Sequence, residues 1–301
     1  MSAPHIPPEA EDSLNWLALT DALAEGHRRP RAEIGDTFLY RRQDTLLSRA
    51  AWIDGLGALV KTATVFPGNP DHGLNRINGG ASLYADDTGL LEATIDFHLL
   101  TKWKTAGDSL LAARRLARPD SRNILIVGAG AVAESLVSAY RAVWPEAVIA
   151  VWNRTPARAE VLAQRTGTVV AADLSAAVPH ADIIACATMA TEPILKGAWL
   201  RPGQHVDLIG AFRADMREAD DVALTRARIF VDSRETTLGH IGELKIPIET
   251  GTITADDVVA DYYDLDAFVR GADDITLFKN GGGAHLDLMT ARYILTAWQG
   301  T

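Results

Sequence analysis

One short segment of the chain combines an apolar strand, a glycine-rich turn and the start of a helix. Gly128, Gly130 and Ala133 follow the apolar run 124–127 with the spacing G-x-G-x-x-A. The first glycine allows a tight turn, the second lets the backbone approach a pyrophosphate, and a small third residue lets the helix pack close to the strand. A glycine-rich turn that binds no ligand is the alternative, but the strand before it and the helix after it favour a dinucleotide site. The expected pyrophosphate contacts are Gly128, Ala129, Gly130, Ala131 and Val132.

The next apolar strand ends at Asn153, Arg154 and Thr155. Many NAD-binding domains have an Asp or Glu near this position, which binds the ribose 2′-hydroxyl. Here hydrogen-bond donors and a guanidinium replace that acid, and they suit a 2′-phosphate. Alternatively, Arg154 is a solvated surface charge or stacks on the adenine of NAD. We therefore expect NADP(H) to be preferred, with NAD(H) possible. Thr155 is also a good N-cap, because Pro156 would be the first helical residue.

Three cations stand out in the first part of the chain. Lys61 interrupts the apolar, strand-like run 58–65, so it must reach solvent or find a partner. Lys104 lies in the helical pattern 99–117, and Arg31 follows the end of the first helical pattern. Each could instead be an ordinary surface charge, and spacing alone does not place the three together.

Composition limits the class of protein. The chain has 301 residues, 48% hydrophobic and 23% charged, which is typical of a globular protein, and it lacks an apolar run long enough for a membrane span. The net charge of -10 without a basic block argues against nucleic acid binding. We expect no metal site. The first residues lack signal-peptide features, and Cys186, the only cysteine, suits a reducing cytoplasm. Cys186 lies in an apolar run and is expected to pack in a strand rather than to act as a nucleophile.

The hydrophobic pattern predicts two domains. Residues 1–10 are expected to be loose and 11–27 to form a helix. Strands are expected at 37–40, 45–47, 58–60, 62–66, 81–84 and 90–95, with a hairpin turn at 86–89 and a helix at 99–117. From residue 123 the order becomes β-α-β, with strands at 124–127, 148–151, 168–171, 183–187, 205–209 and 229–231. Further elements are a helix at 261–269, a strand at 275–278 and a final helix at 285–298.

This pattern is that of an α/β protein in which a Rossmann-type, doubly wound parallel sheet accompanies a discontinuous α+β domain. The predicted dinucleotide-binding domain is 119–283. The predicted second domain is 1–118 with 284–301, because the last helix could return to it.

Several motifs occur in the order found in one family. Lys61 precedes Phe-Pro-Gly-Asn at 66–69, Asp-Thr-Gly follows at 87–89, and Leu-Thr-Lys-Trp-Lys-Thr-Ala spans 100–106. The glycine loop, the segment 207–218 ending in Arg-Glu, and Thr-Leu-Phe-Lys at 276–279 complete the set. Along residues 25–300 the chain resembles the ornithine cyclodeaminase/mu-crystallin family.

The resemblance implies a homodimer whose first domain supplies the dimer sheet and the substrate site. It also implies a nicotinamide cofactor and a small α-amino or α-imino acid as substrate. The substrate carboxylate would be bound by Arg31, Lys61 and Lys104, with Arg49 as a competitor for the role of Arg31. The family usually has Arg where this chain has Lys104, and lysine lacks the bidentate fork. We also expect Thr105, Thr188 and Met189 to contact the cofactor.

A second departure from the family concerns the reaction. Cyclodeaminases have an Asp just after the glycine that ends the fifth strand, and here that position is Phe212, with Asp215 three residues later. Without that carboxylate, reduction of an imine becomes the preferred reaction. The expected substrate is a cyclic ketimine such as Δ1-pyrroline-2-carboxylate, giving L-proline, or an acyclic imino acid. Lys61 would orient the carboxylate and supply a proton. The alternatives are an ornithine cyclodeaminase and a non-catalytic, mu-crystallin-like ligand-binding protein.

Overall fold

The computed structural model describes residues 3–300 as two compact units. They are Met1–Lys104 with Gly282–Thr301, and Thr105–Gly281. The sequence instead placed the boundaries after residues 118 and 283. The first boundary, after Lys104, lies inside a single unbroken helix, Phe97–Leu116. A sequence pattern indicates where such a helix ends, but not the position within it at which one unit ends and the other begins.

The first unit contains a six-stranded sheet. Its elements in chain order are β1 (His5–Ile6), α1 (Trp16–Gly26), β2 (Glu33–Arg41), β3 (Asp44–Ile53), β4 (Gly57–Val65), β5 (Ile77–Tyr84), β6 (Leu91–Asp96) and α2 (Phe97–Leu116), with short 3-10 helices at Pro8–Ser13 and Asn69–His72. The strand order is β1-β6-β5-β4-β3-β2, and all neighbours are antiparallel except β1 and β6. The predicted hairpin at 86–89 is confirmed, because β5 and β6 pair across it.

Strand β4 shows how this sheet separates its faces. Leu59, Lys61 and Ala63 are buried, whereas Val60 between them is exposed. Successive side chains of a strand point to opposite faces, so Lys61 lies at an inward position of the sheet.

The prediction that residues 1–10 are loose is wrong for the part that the structure describes. His5 and Ile6 pair in parallel with Thr94 and Ile95 of β6, and Ile6 is completely buried. Pro4 and Pro7 flank this strand, and Pro8 begins a 3-10 helix.

The second unit contains an eight-stranded parallel sheet, as predicted. Its elements are β7 (Asn123–Val127), α3 (Ala131–Val143), β8 (Val148–Trp152), α4 (Pro156–Thr166), β9 (Val169–Val170), α5 (Leu174–Ala177), β10 (Ile183–Cys186), β11 (His205–Leu208), α6 (Asp221–Arg226), β12 (Arg228–Val231), α7 (Arg234–Thr237), α8 (Gly242–Glu249), β13 (Val258–Ala260) and β14 (Thr276–Lys279). Short 3-10 helices lie at Val178–His180, Gly197–Trp199, Ala255–Asp257 and Tyr262–Ala267. Cys186 is fully buried in β10, which confirms its structural interpretation.

The strand order is β13-β12-β14-β11-β10-β7-β8-β9. The chain adds β8 and β9 on one side of β7 and then continues with β10 on the other side, so the direction in which strands are added reverses between β7 and β10. Open parallel sheets bind their ligands at such a switch point, outside the carboxyl ends of the strands. The loop that begins at Gly128 and the loop that contains Thr188 both start at this edge.

Two local predictions in this unit need correction. The helix expected at 261–269 is a 3-10 helix, Tyr262–Ala267, interrupted by the non-helical backbone of Asp264. Strand β13 was missed because it has only three residues, too few to show a period.

The last helix, α9 (Ala284–Gln299), belongs to the first unit, where it packs on β3, β4 and α1. Its contact with α1 is close at Gly26, where an added Cβ would lie 2.5 Å from the sulfur of Met289. No helix within residues 3–300 combines the length and the apolar character needed to span a bilayer.

Candidate active site

The glycine loop of the second unit forms a cradle at the carboxyl end of β7. Gly128 has a φ of 128°, and a Cβ there would lie 2.6 Å from the carbonyl oxygen of Ala187, so only glycine fits. Its N–H donates to the carbonyl of Trp152 at 2.8 Å, which joins the loop to the end of β8. At Gly130, by contrast, an added Cβ would find no heavy atom of the described chain within 4 Å beyond its immediate neighbours.

Helix α3 begins directly after this open position. Its N-cap, Gly130, has no side chain, so the first N–H groups of the helix receive no side-chain cap. Ala133 is completely buried, as expected for a residue that lets the helix lie close to the sheet. Free N–H groups beside an open space are the donor set that a pyrophosphate requires, so the cradle fits a dinucleotide.

A cavity of about 610 Å³ adjoins this cradle. Its lining includes Ala129, Gly130 and Ala131 on one side and Arg158 and Arg165 of α4 on the other. Arg158 was not among the residues expected to contact the cofactor. The sequence did contain a signal for Arg158, because it lies in the first turn of the helix that Thr155 and Pro156 predict.

The loop between β8 and α4 contains the residues predicted to select the cofactor. Thr155 is the N-cap of α4 with Pro156 at its first position, as predicted, although the hydroxyl makes no capping hydrogen bond with the described residues. The side-chain amide of Asn153 donates to the carbonyl of Thr155 at 2.9 Å, and Arg154 is exposed.

The other predicted cofactor residues of this unit belong to different elements. Thr188 follows β10, and its N–H and hydroxyl both donate to the carboxylate of Glu218 at 2.7 Å. Met189 beside it is 63% exposed. Thr105 lies in α2, where its carbonyl accepts from the amide of Asn280 at 3.1 Å.

In the first unit, Lys61 is paired inside the protein. Its Nζ lies 2.8 Å from Oδ1 of Asp287 on α9, and the two side chains are 7% and 0% exposed. Burial, assisted by the charges of Lys104 and Arg49, lowers the pKa of Lys61, while Asp287 opposes the shift. Burial by itself would raise the pKa of Asp287, but the charges of Lys61 and Lys104 hold it below its usual value.

Arg49 and Lys104 meet at the carbonyl of Gly282, just before α9. Arg49 donates to it at 2.9 Å and Lys104 at 3.4 Å. Arg49 is the direct neighbour of Lys61 in the β3–β4 register, it pairs with Asp36 at 2.7 Å, and it lies 3.9 Å from Asp287. The structure therefore brings Lys61, Lys104 and Arg49 together, and we call these three residues the cation cluster.

Arg31 lies at the edge of this arrangement. It is exposed, and its charge is among those that act on His285 of α9. Burial, and then the charge of Lys104, lowers the pKa of His285 to about 3, so this imidazole is neutral near pH 7.

Sequence reasoning missed Asp287 and His285, the two α9 residues that face the cation cluster. The signal was present but ambiguous. A histidine and an acid alternate with leucines in the segment 285–288, and a charged residue between apolar helix positions is typical of a buried, paired group.

Phe212, at the position of the cyclodeaminase acid, and Asp215 lie in the loop after β11. Phe212 is 56% exposed, with the Arg213 guanidinium 5.6 Å from its ring centre. Arg213 also forms two hydrogen bonds of 2.9 Å with Asp215, and this interaction lowers the pKa of Asp215. The carboxylate nearest in sequence is thus already bound by an arginine.

Comparison with protein families gives a match over residues 53–301 to the ornithine cyclodeaminase/mu-crystallin family. The chain belongs to this family. Among individual relatives, it is 53% identical to a Δ1-pyrroline-2-carboxylate reductase of Paracoccus denitrificans, over 97% of this chain and 96% of that protein. It is 32% identical to the ketimine reductase mu-crystallin of Rattus norvegicus, over 79% of this chain and 75% of that protein.

Solved structures of the ornithine cyclodeaminase/mu-crystallin type have the same fold. A probable ornithine cyclodeaminase from Bordetella pertussis superposes with a TM-score of 0.88 and is 28% identical, covering 99% of this chain and 98% of that one. A Δ1-pyrroline-2-carboxylate reductase from Thermococcus litoralis has a TM-score of 0.89 at 23% identity, covering 98% and 97%. The predicted fold class is therefore confirmed.

Proposed function

We propose that this protein is an NAD(P)H-dependent imino-acid reductase that converts a cyclic ketimine, Δ1-pyrroline-2-carboxylate or a close analogue, to the L-amino acid. The observation that carries the proposal is the cation cluster, which is largely buried in an acidic protein and faces Asp287. Similarity to Δ1-pyrroline-2-carboxylate reductases and ketimine reductases supports the substrate class.

The cation cluster suits a substrate with one carboxylate. Three positive groups face one buried negative group, Asp287, and Arg49 has Asp36 as a further partner. The site thus retains positive charge that a substrate carboxylate can neutralise, and burial strengthens that attraction relative to water. Lys104 contributes charge without a planar fork, so it imposes fewer directional constraints than an arginine.

Lys61 is the proposed proton donor. A lysine with a lowered pKa transfers a proton more readily near neutral pH than an exposed one, and Asp287 fixes the direction of its ammonium group. A protonated imine nitrogen makes the neighbouring carbon electrophilic. A bound dihydronicotinamide supplies the hydride that completes the reduction, so one proton and one hydride convert the C=N bond to a secondary amine.

For the cofactor we propose a preference for NADP(H). The support is Arg154 after β8 and Arg158 in the wall of the cavity beside the glycine loop. Two guanidinium groups near the expected position of the adenosine ribose suit a 2′-phosphate.

We also propose a homodimer that forms through the outer face of the first unit's sheet, and a cytoplasmic location. Trp52 and Val60 are exposed on that face, and Leu39 and Leu46 pair beside them. Several exposed apolar side chains on one face of a sheet are a feature of interfaces. The molar mass in solution, measured by light scattering, decides between one and two copies.

The competing activity is ornithine cyclodeamination. Two observations disfavour cyclodeamination. Position 212 has a phenylalanine instead of a carboxylate for the substrate amine, and the nearby Asp215 is hydrogen-bonded to Arg213. Purified protein should consume NADPH with Δ1-pyrroline-2-carboxylate and release no ammonia from ornithine. Ammonia release from ornithine without net cofactor consumption would replace the proposal with the cyclodeaminase. Binding of cofactor without turnover of any cyclic or acyclic imine would indicate a non-catalytic binding protein.

A further inference from the structure

A buried carboxylate connects the loops at the carboxyl edge of the second unit's sheet. One oxygen of Glu218 accepts from the N–H and the hydroxyl of Thr188, both at 2.7 Å, and the other accepts from the N–H of Gly210 at 2.6 Å. These residues follow β10 and β11. Glu218 is completely buried, so these hydrogen bonds are shielded from solvent.

The joined loops have almost no free space. A Cβ on Gly210 would lie 1.8 Å from the carbonyl oxygen of Thr188, and a Cβ on Gly128 would lie 2.6 Å from that of Ala187. The segment 187–188 is therefore enclosed between the β11 loop and the glycine cradle. A displacement of Thr188 must move the backbone around Gly128 as well.

Glu218 is itself held by a second buried acid. The carboxylate of Glu243 accepts from the N–H groups of Glu218 and Ala219 at 2.7 and 3.0 Å. The carbonyl of Glu218 accepts from Ile194 and Leu195, each at 2.9 Å. Two buried glutamates with the buried Lys279 as their countercharge are a costly way to obtain stability, since apolar residues of similar size often serve as well. This cost suggests a purpose other than stability.

We propose that Glu218 is a positioning residue for the nicotinamide half of the cofactor, which it serves by fixing Thr188 and the adjoining Met189 against the glycine cradle. The inference rests on the proposed function, because it assumes that the switch point between β7 and β10 binds a nicotinamide dinucleotide.

The test is Glu218→Gln, which keeps the shape but offers one acceptor oxygen in place of two. Its NH2 group must then face either the Gly210 N–H or the Thr188 donors, so one loop loses its bond. In the cofactor-free protein, amide hydrogen exchange at positions 188 and 210 should accelerate by about tenfold or more. The dissociation constant for NADPH, measured by fluorescence titration, should rise about tenfold. Binding of adenosine 2′,5′-bisphosphate, which lacks the nicotinamide half, should change less than about twofold.

Asp207→Asn is the matched control. Asp207 is a buried acid of the same sheet whose partners are His205 and Tyr140 rather than Thr188 and Gly210. It should lower stability without changing the ratio of the two dissociation constants.

The Thr188 hydroxyl provides a second, milder test. Thr188→Val removes one bond to Glu218 and should weaken NADPH binding in the same selective way, whereas Thr188→Ser should restore it. If Glu218→Gln does not fold, this pair carries the test alone.

The possible outcomes separate the two proposals. If the wild-type protein binds neither NADPH nor NADH, the proposed function is wrong. If it binds NADPH but the folded variants keep the wild-type affinity, or lose affinity equally for the bisphosphate, Glu218 is a structural residue and the inference is overturned.

Discussion

Replacing the Lys61–Asp287 pair in two steps should separate stability from activity. At 2.8 Å and an effective dielectric constant of 20, the pair attracts by about 6 kcal/mol, and Arg49 at 3.9 Å attracts Asp287 by about 4 kcal/mol. Lys61→Met removes the first attraction and leaves the buried carboxylate of Asp287 with only the weaker attraction of the remaining cations. We expect a loss of about 3 kcal/mol in the free energy of unfolding. This is the lower end for breaking a buried pair, because Arg49 remains and the desolvation of Lys61 is relieved.

Adding Asp287→Val to Lys61→Met should recover about 2 kcal/mol of that loss. A buried pair replaced by apolar residues often costs nothing, although Lys104 and Arg49 still lose a countercharge. Turnover should not recover, because Lys61 is the proposed proton donor. Both variants should show kcat/KM for the cyclic imine reduced by at least about a hundredfold.

Urea unfolding gives the stabilities, and the stacked Trp16 and Trp103, whose ring centres are 3.8 Å apart, provide fluorescence from the first unit. Cofactor oxidation measured at 340 nm gives the activities. Two results refute the reasoning: a Lys61→Met protein as stable as wild type, or a double variant that regains activity together with stability.

Four further predictions concern single positions. Gly130→Val should fold but lose cofactor binding in a fluorescence titration, because its side chain enters the open space of the cradle; unchanged affinity would contradict the pyrophosphate assignment. Arg154→Ala should weaken NADPH by about 1.5–3 kcal/mol and leave NADH nearly unaffected; equal wild-type kcat/KM for the two cofactors would count against the preference. Lys104→Arg should keep substantial reductase activity and Lys104→Ala should not, as steady-state kinetics with the cyclic imine will show. Burial, then the charge of Glu243, raises the pKa of Glu218 from 4.5 to about 7. The folded state therefore binds this proton more tightly than the unfolded state does. As the pH rises from 4.5 through 7, the free energy of unfolding should fall by about 3 kcal/mol. Urea titrations of wild type and Glu218→Gln between pH 5 and 8 should show a steeper fall in the wild type, because the variant keeps only the contribution of Glu243, whose pKa burial also raises.

The parallel sheet and the glycine cradle were predictable because they depend on local patterns. A short apolar run followed by Gly128 and Gly130 identifies a strand, a turn and a helix within a few residues. The first unit was harder to predict, because the sequence of an antiparallel strand indicates that it is a strand but not which residues of its neighbour it pairs with. That Arg49 and Lys61 are direct neighbours follows from the β3–β4 pairing, which no local pattern contains.

The polar groups that support the site were missed for a related reason. Asp287 is 226 positions from Lys61, and Glu218 is 30 positions from Thr188. A buried acid in a sequence looks like any other acid until the fold removes water around it. The position of Lys61 between apolar residues indicated that it must reach solvent or find a partner, but it did not indicate which residue a partner would be.

The division of the first unit into two pieces has a consequence for the order in which the molecule is made. During synthesis, Lys61, Arg49 and Lys104 leave the ribosome long before α9, which brings both Asp287 and the Gly282 carbonyl. The contiguous segment Thr105–Gly281 is complete earlier, and domains generally fold as units while the chain grows. Until α9 emerges, the inward-facing lysine of β4 lacks Asp287, the acid with which it pairs within residues 3–300, and the sheet that contains it gains little from burying that face. The nascent protein should therefore complete its nucleotide-binding half first, and a ribosome stalled before α9 should hold a protease-sensitive first unit.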